Sequence, residues 1–225
     1  MNTYLDGEGG VFMEKSYIWI YTTGATVPLK IRPGHFATNH AHINYYIDVT
    51  TLKARTKEAE EVAQALVGMY LYDTVIDTIV CMEGTEVIGA FLAEELAKGG
   101  FLSTNAHKSI YVISPEFNNN SQIIFRDNLI PMIRDKHVMI LMASVTTGRT
   151  LNKAVESIQY YGGILQGASA IFSAMDSLDG VPIKSVFGKK DLPDYTYSDY
   201  RDCPLCKAGK KIDALVNTFG YSPMG

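Results

Sequence analysis

From residue 56 onwards, hydrophobic positions follow two patterns that alternate along the chain. Stripes at three- and four-residue spacing predict helices over 56–69, 87–96 and 151–158. Short runs rich in apolar and β-branched residues predict strands over 75–82, 109–114, 138–143 and 168–174. This alternation predicts an α/β fold, in which a parallel β-sheet is flanked by helices on both faces.

The segments outside this alternation have weaker patterns. Residues 1–50 are rich in aromatic side chains and indicate short extended pieces that turn at 23–24 and 32–34. Residues 115–131 form a long connection, a kind of segment that often carries function. Because ligands of parallel sheets bind at the carboxyl ends of the strands, the loops after the four predicted strands are the first places to search for a site.

Charge and composition argue against several classes of protein. The chain has 225 residues, with 20 Lys and Arg against 24 Asp and Glu, so its net charge of −4 disfavours a surface for bulk nucleic acid or anionic lipid. No apolar run approaches the roughly 20 residues of a membrane helix, and residues 1–10 do not resemble a secretory signal. Three cysteines do not make a disulfide framework. We therefore expect a cytoplasmic protein without a nucleic-acid or membrane partner.

One segment indicates an anion-binding loop. The apolar run of residues 138–143 is followed by Ser-Val and then by Thr-Thr-Gly-Arg-Thr, after which a helix begins. Hydroxyls of Thr146, Thr147 and Thr150, successive backbone N–H groups and the helix N-terminus would surround one anion. Gly148 would allow close backbone approach, and Arg149 would add a charge-assisted hydrogen bond. The segment lacks the Gly-Lys-Ser/Thr of a Walker loop, and an ordinary polar turn capped by threonines is the alternative.

Residues 138–150 are similar, without a gap, to the signature of the type I phosphoribosyltransferases. Four further segments resemble the orotate phosphoribosyltransferase branch in the same order: 42–48 (His-Ile-Asn-Tyr-Tyr-Ile-Asp), 77–93, 175–180 (Met-Asp-Ser-Leu-Asp-Gly) and 203–209 (Cys-Pro-Leu-Cys-Lys-Ala-Gly). The resemblance implies a single domain over 1–225, with a core of about 51–190 and a small hood built from about 1–50 and 191–225. It also implies a homodimer.

The departures from this family lie at positions that carry its chemistry. Met142 and Ala143 stand where the family has the acidic pair that binds the ribose hydroxyls. Glu86 replaces a glycine of the pyrophosphate loop, and residues 114–122 contain no cation where the family's catalytic loop has Lys, Arg and His. Ser177 stands in place of the arginine that binds the orotate carboxylate. Around a bound ligand we expect Met142, Ala143, Ser144, Glu83, Thr85, Glu86 and Ser177.

Two functions follow from these residues. The first is a protein that binds a nucleotide or sugar phosphate through residues 146–150, has lost or much weakened transferase activity, and has no assigned catalytic residue. The second is an active phosphoribosyltransferase that transfers ribose 5-phosphate from phosphoribosyl diphosphate to a nucleobase such as orotate. The second needs a replacement carboxylate near Met142, supplied by Glu83, Glu86 or Asp176. A structural subunit of a true transferase is a third class. No cofactor is assigned, although magnesium would accompany phosphoribosyl diphosphate.

The remaining candidate groups are cysteines and histidines. Cys203 and Cys206 form one CxxC, which is either a reduced surface turn or half of a zinc site whose other ligands come from elsewhere in the chain or a second subunit. No metal is assigned on this basis. His35, His40 and His42 form a patch that is either a polar loop over the mouth of the site or a group facing a metal or phosphate.

Overall fold

The computed structural model describes residues 17–98, 103–106, 109–120 and 122–224, so residues 1–16 of the predicted hood lie outside the described residues. The helices are α1 (Thr50–Ala54), α2 (Thr56–Val67), α3 (Glu86–Lys98), α4 (Arg149–Tyr160) and α5 (Pro204–Lys207), with a 3-10 turn at Ile130–Met132. The strands are β1 (Ile18–Ile20), β2 (Leu29–Ala37), β3 (His42–Asp48), β4 (Thr78–Cys81), β5 (Tyr111–Ile113), β6 (Glu116–Phe117), β7 (Ile123–Ile124), β8 (His137–Val145), β9 (Ile164–Ser173), β10 (Ser177–Leu178), β11 (Val181–Gly188), β12 (Tyr197–Ser198), β13 (Ala214–Asn217) and β14 (Gly220–Pro223).

The core sheet has the strand order β10-β11-β9-β8-β4-β5, and all its neighbours pair in parallel except β10 with β11. Strand β8 lies between β4 and β9 and is buried on both faces. Its side chains alternate: Met139 and Leu141 pack with α2 and α3, whereas Ile140 and Met142 pack with α4. The predicted α/β fold, with a parallel sheet covered by helices, is confirmed.

A second sheet forms the hood from both ends of the described chain. Its order is β12-β3-β2-β13-β14, with β1 added to β2. Strand β13 pairs in parallel with β2, so strands from opposite ends of the sequence are neighbours. The backbone N–H of His35 also donates to Asp213 Oδ2 at 2.7 Å, and the N–H of Asp213 donates to His35 O at 2.7 Å. The hood therefore requires residues on both sides of the core.

Several element boundaries differ from the sequence predictions. The predicted turn at 32–34 lies inside β2, where a register shift between Pro33 and Phe36 bends the strand without ending it. The predicted long connection contains the β6–β7 hairpin. Strand β11 was missed because its apolar and polar positions do not form a clear run, and Pro182 argues locally against a strand.

In the part of the chain that the structure describes, no helix has the length and apolar character needed to cross a bilayer.

Helix α3 packs closely on the core sheet at Gly89. A Cβ at this position would contact Cys81 Sγ and lie 3.1 Å from Val112 Cγ1. We expect Gly89→Ala to lower the free energy of unfolding by about 1–3 kcal/mol, because the buried neighbours must move. Denaturant unfolding measures the change.

Gly68 provides the matched control at the end of α2. It has a right-handed conformation and open space around a Cβ. We expect Gly68→Ala to change the unfolding free energy by less than about 1 kcal/mol. If the Gly89 and Gly68 variants were equally stable, the close approach of α3 to β4 and β5 would be wrong.

Candidate functional site

The predicted anion loop connects β8 to α4. Gly148 has a φ of +76°, a left-handed conformation that favours glycine, and occupies the N-cap position of α4. Its carbonyl accepts the first helical hydrogen bond from the N–H of Asn152 at 2.8 Å. Arg149 is the first residue of the helix and is exposed. The sharp turn therefore directs the N-terminus of a 12-residue helix at the end of the central strand.

Neighbouring elements fix the start of this loop. The carbonyl of Val145 accepts a hydrogen bond from the N–H of Ala174 at 2.8 Å. Thr146 Oγ1 and the hydroxyl of Tyr195 share a hydrogen bond of 3.0 Å. Tyr195 is buried, and burial raises the pKa of its phenol to about 12, so it stays neutral and holds the loop from the side of the hood.

A cleft between the core and the hood opens at this loop. Residues 146–150 all line the cleft, together with Met142, Ala143, Ser144 and Glu83 of the predicted ligand neighbours. The hood closes the other side through two segments that the sequence did not assign to the site: Thr38, Asn39 and His40 between β2 and β3, and Val216, Asn217, Thr218 and Gly220 between and within β13 and β14. The signal for the first segment was the histidine patch, since a polar loop over the mouth of the site was one of its two interpretations.

Three basic side chains gather near the anion loop. The pKa of His40 lies below its usual value, first because the ring is partly desolvated and then because Arg149 and Lys153 repel its protonated form. His40 is therefore neutral at pH 7, whereas the arginine and lysine are charged. An anion on the loop would be favoured by both charges and by the positive end of the helix dipole.

Glu83 places a carboxylate at the carboxyl end of β8. The residue has a φ of +60°, and its Oε2 accepts a hydrogen bond from the N–H of Ser144 at 3.3 Å. Burial raises the pKa of this carboxyl, while the backbone N–H groups of Ser144 and Ala143 and the charge of Lys53 act in the opposite direction. The Lys53 ammonium in turn donates to Glu83 O at 2.6 Å and to Thr218 O at 3.3 Å.

This carboxylate lies beside the segment in which Met142 and Ala143 have no acidic group. Both side chains are almost fully buried, and neither has an atom that accepts a hydrogen bond from a sugar hydroxyl at ordinary strength. Glu83 approaches the same strand end from the loop after β4. The structure thus brings one carboxylate into the cleft near these two positions.

Other expected ligand neighbours lie outside the residues that line the cleft. Thr85 is fully buried, and its hydroxyl donates to Met82 O at 2.9 Å and to Leu141 O at 3.0 Å. Glu86 begins α3 and accepts from Ser114 Oγ at 2.7 Å. Ser177 is exposed on β10. The side chains of Thr85 and Glu86 therefore hold local structure, and that of Ser177 faces solvent.

The two cysteines of the CxxC lie in the hood, beside His35 and His42. These four residues are not among those that line the cleft. The histidine patch therefore divides: His40 faces the cleft, whereas the other two histidines face the cysteines.

The left-handed turn at Gly148 generates a prediction for anion binding. A Cβ there would lie 2.8 Å from Leu178 Cδ2. We expect Gly148→Ala to cost about 1 kcal/mol or more in stability through the left-handed backbone and to weaken inorganic phosphate binding at least about tenfold, because the loop must move. Calorimetric titration with phosphate measures the effect.

Gly180 is the control, since it has a φ of +83° and no atom within 4 Å of a Cβ. Gly180→Ala introduces the same backbone strain away from the cleft, and phosphate affinity should not change. Unchanged phosphate affinity in the Gly148 variant would contradict the loop's role.

The position of His40 predicts that anion affinity depends on pH. Its lowered pKa keeps the ring neutral at pH 7, and protonation at lower pH adds a third positive charge next to Arg149 and Lys153. Sulfate, whose own charge is constant in this range, should bind about three- to tenfold more tightly at pH near 5.5 than at pH near 7.5. His40→Asn should remove most of this increase. A pH dependence that survives the substitution would assign the titration to another group.

Comparisons with known proteins identify the fold. No protein-family model matches the sequence, and no curated protein matches it. Among solved structures, the chain is similar to UMP synthase of Leishmania donovani, with a TM-score of 0.52 and 18% identity over 72% of this chain and 34% of that chain. It is also similar to a phosphoribosyltransferase from Corynebacterium diphtheriae, with a TM-score of 0.51 and 14% identity over 70% of this chain and 89% of that chain. The fold of this chain is that of the type I phosphoribosyltransferases.

Proposed function

We propose that this protein binds a ligand with a ribose 5-phosphate group and that its transferase activity is lost or much weakened. The observation that carries the proposal is the turn at Gly148, which places the N-terminus of α4 and Arg149 at the edge of a cleft between core and hood. Backbone N–H groups at a helix N-terminus and an arginine side chain are the donors that a phosphate monoester prefers.

The sugar would lie towards the carboxyl end of β8. Ser144 and Glu83 line the cleft there, so the carboxylate of Glu83 could accept hydrogen bonds from ribose hydroxyls when it is ionised. Its pKa is raised, so binding of the sugar must compete with a greater tendency of the carboxyl to hold its proton. This arrangement supports recognition of a sugar phosphate by weaker contacts than an acidic pair would provide.

The weakening of transfer follows from the groups around the leaving diphosphate. Arg126, the first cation after the region that corresponds to the family's catalytic loop, donates from Nε to Glu116 Oε2 at 2.7 Å and is therefore paired with a carboxylate. The loop after β4 offers the carboxylate of Glu83, which repels a diphosphate, and the neighbouring Lys53 ammonium already donates to two carbonyl oxygens. The diphosphate of phosphoribosyl diphosphate would therefore meet less positive charge than the 5′-phosphate of the same molecule. Departure of the diphosphate would be slow for this reason.

Glu83 also favours a second candidate, an active phosphoribosyltransferase. Its carboxylate stands beside the positions of the missing acidic pair and could take over part of their role. In this case catalysis would depend on positioning of the substrate and on the magnesium bound to its diphosphate. The substrate base is then selected by the hood segments that face the cleft.

A calorimetric comparison separates the two candidates. Phosphoribosyl diphosphate with magnesium and ribose 5-phosphate should bind with affinities within about tenfold of each other, since the shared 5′-phosphate provides most of the binding. Arg149→Gln should weaken both by about tenfold through the lost charge-assisted hydrogen bond. Lys189→Gln removes the same charge from an exposed turn outside the cleft and should leave both affinities unchanged.

The same titrations show whether the proposed site is correct and which of the two candidate functions the protein has. If neither compound binds, or if Arg149→Gln has no effect, the proposed site is wrong. If the diphosphate binds more than about a hundredfold tighter, if Glu83→Gln removes that advantage, and if orotate is consumed with it at ordinary enzyme rates, the second candidate is correct.

A further inference from the structure

Four metal-binding side chains converge in the hood, away from the cleft. His35 lies on β2, His42 on β3, Cys203 immediately before α5 and Cys206 within it. Each offers one ligand atom within 4.8 Å of the other three. Within the described ranges, this is the single group of three or more Cys, His, Asp or Glu side chains with such geometry. His35 and Cys203 are 168 residues apart in the sequence, so only the folded hood brings the four ligands together.

Four of the six distances between these ligand atoms are close to the edges of a tetrahedron around one zinc ion. His35 Nε2 lies 3.5 Å from Cys203 Sγ and 3.6 Å from Cys206 Sγ. His42 Nδ1 lies 3.2 Å from Cys206 Sγ and 3.1 Å from His35 Nε2. Zinc bonds of about 2.3 Å to sulfur and about 2.0–2.1 Å to nitrogen, at tetrahedral angles, separate sulfur from nitrogen by about 3.6 Å and two nitrogens by about 3.3 Å.

A hydrogen-bond network explains this geometry less well. His35 Nε2 has three heteroatoms within 3.6 Å: Cys203 Sγ, Cys206 Sγ and His42 Nδ1. A ring nitrogen has either one hydrogen or one lone pair, so His35 Nε2 forms a good hydrogen bond with only one of these three atoms at a time. A cation at the centre would instead interact with all four atoms.

The surroundings of His35 orient it as a ligand. Its side chain is fully buried, and its Nδ1 lies 2.8 Å from the carbonyl oxygen of Lys210. Because a carbonyl only accepts, Nδ1 carries the hydrogen, and the lone pair of Nε2 points towards the two cysteines and His42. Such a hydrogen bond from the second ring nitrogen is the usual support of a metal-binding histidine.

We propose that His35, His42, Cys203 and Cys206 bind one structural zinc ion. Zn²⁺ would bind two thiolates and two neutral imidazoles, with release of the two thiol protons to solvent. The resulting centre has no net charge, which suits a site where His35 and Cys203 are buried. All four positions are filled by protein ligands, so the ion stabilises structure and leaves no position for a substrate.

The ion would connect the hood to the cleft. His35 and His42 flank the loop of Thr38, Asn39 and His40, whose residues line the cleft. The cysteines belong to the segment that follows Tyr195 and β12, and β12 pairs with β3 at His42. Zinc would therefore hold the loop over the anion site against the C-terminal segment.

Metal analysis of the full chain tests the proposal. Protein produced with zinc in the medium and purified under reducing conditions should contain about one zinc per chain. Cys206→Ser and His42→Asn should each lower the zinc content to less than about a fifth of this value, because each removes one of four ligands. Cys206 is exposed, so its substitution is compatible with a folded chain. Cys81→Ala and His40→Asn remove a thiol and an imidazole outside the cluster and should leave the zinc content unchanged.

A second measurement does not depend on variants. The intact protein, stripped with a chelator and supplied with Co²⁺, should develop the visible absorption of tetrahedral cobalt and the near-ultraviolet band of cobalt bound to thiolate. Removal of zinc should lower the melting temperature by several degrees, and zinc should restore it. A protein without zinc that also gives no cobalt bands would overturn the proposal. So would a Cys203–Cys206 disulfide that persists after purification with reductant, or full zinc content in the double variant Cys203→Ser/Cys206→Ser.

Discussion

The parallel pairing of β8 with β4 and β9 is the constraint on which the rest of the molecule depends. Parallel registers place the carboxyl ends of these strands on one edge, and the buried sides of β8 fix which residues face each helix layer. The loop of residues 146–150 and the loop after β4 therefore meet at the same edge. Both the helix N-terminus and the Glu83 carboxylate owe their positions to this sheet, since each follows directly from the end of a strand.

Much of the core could be predicted from sequence, because its strands and helices are defined by local patterns. The apolar run of β8 is continuous since both faces are buried, and the stripe of α4 matches its buried residues Leu151, Ala154 and Ile158. The hood was predicted as a region by resemblance, and residues 1–50 were predicted as short extended pieces, but the bounds and pairing of the hood strands were not. Strand β2 contains Pro33 and Gly34, which locally indicate a turn, and only pairing with β3 and the distant β13 keeps it extended.

The candidate site divides in the same way. All residues of the predicted anion loop line the cleft, and they could be named from the sequence because they are five consecutive residues. Glu83 was expected beside a ligand, but the choice among Glu83, Glu86 and Asp176 could not be made, since the position of Glu83 depends on a left-handed backbone that this residue type usually avoids. Thr85 was expected to face a ligand, but its buried hydroxyl donates to two backbone carbonyl oxygens instead. The partners of the CxxC could not be chosen among the histidines without the hood, because the contacts join residues more than 160 positions apart.

The interleaving of the hood has a consequence for synthesis on the ribosome. The core sheet is complete once Gly188 has emerged, and its contacts are mostly between segments that follow one another. The hood cannot close at that stage, because β2 still lacks its neighbour β13, and His35 lacks its hydrogen-bond partner Asp213, which is 178 residues later. A nascent chain would thus carry a finished core with an open cleft, and the edges of β3 and β2 would lack β12 and β13 until residues 197–217 have emerged. Those edges are exposed to other strands during this interval, so the rate of synthesis after Gly188 and the availability of chaperones would affect the yield of native protein.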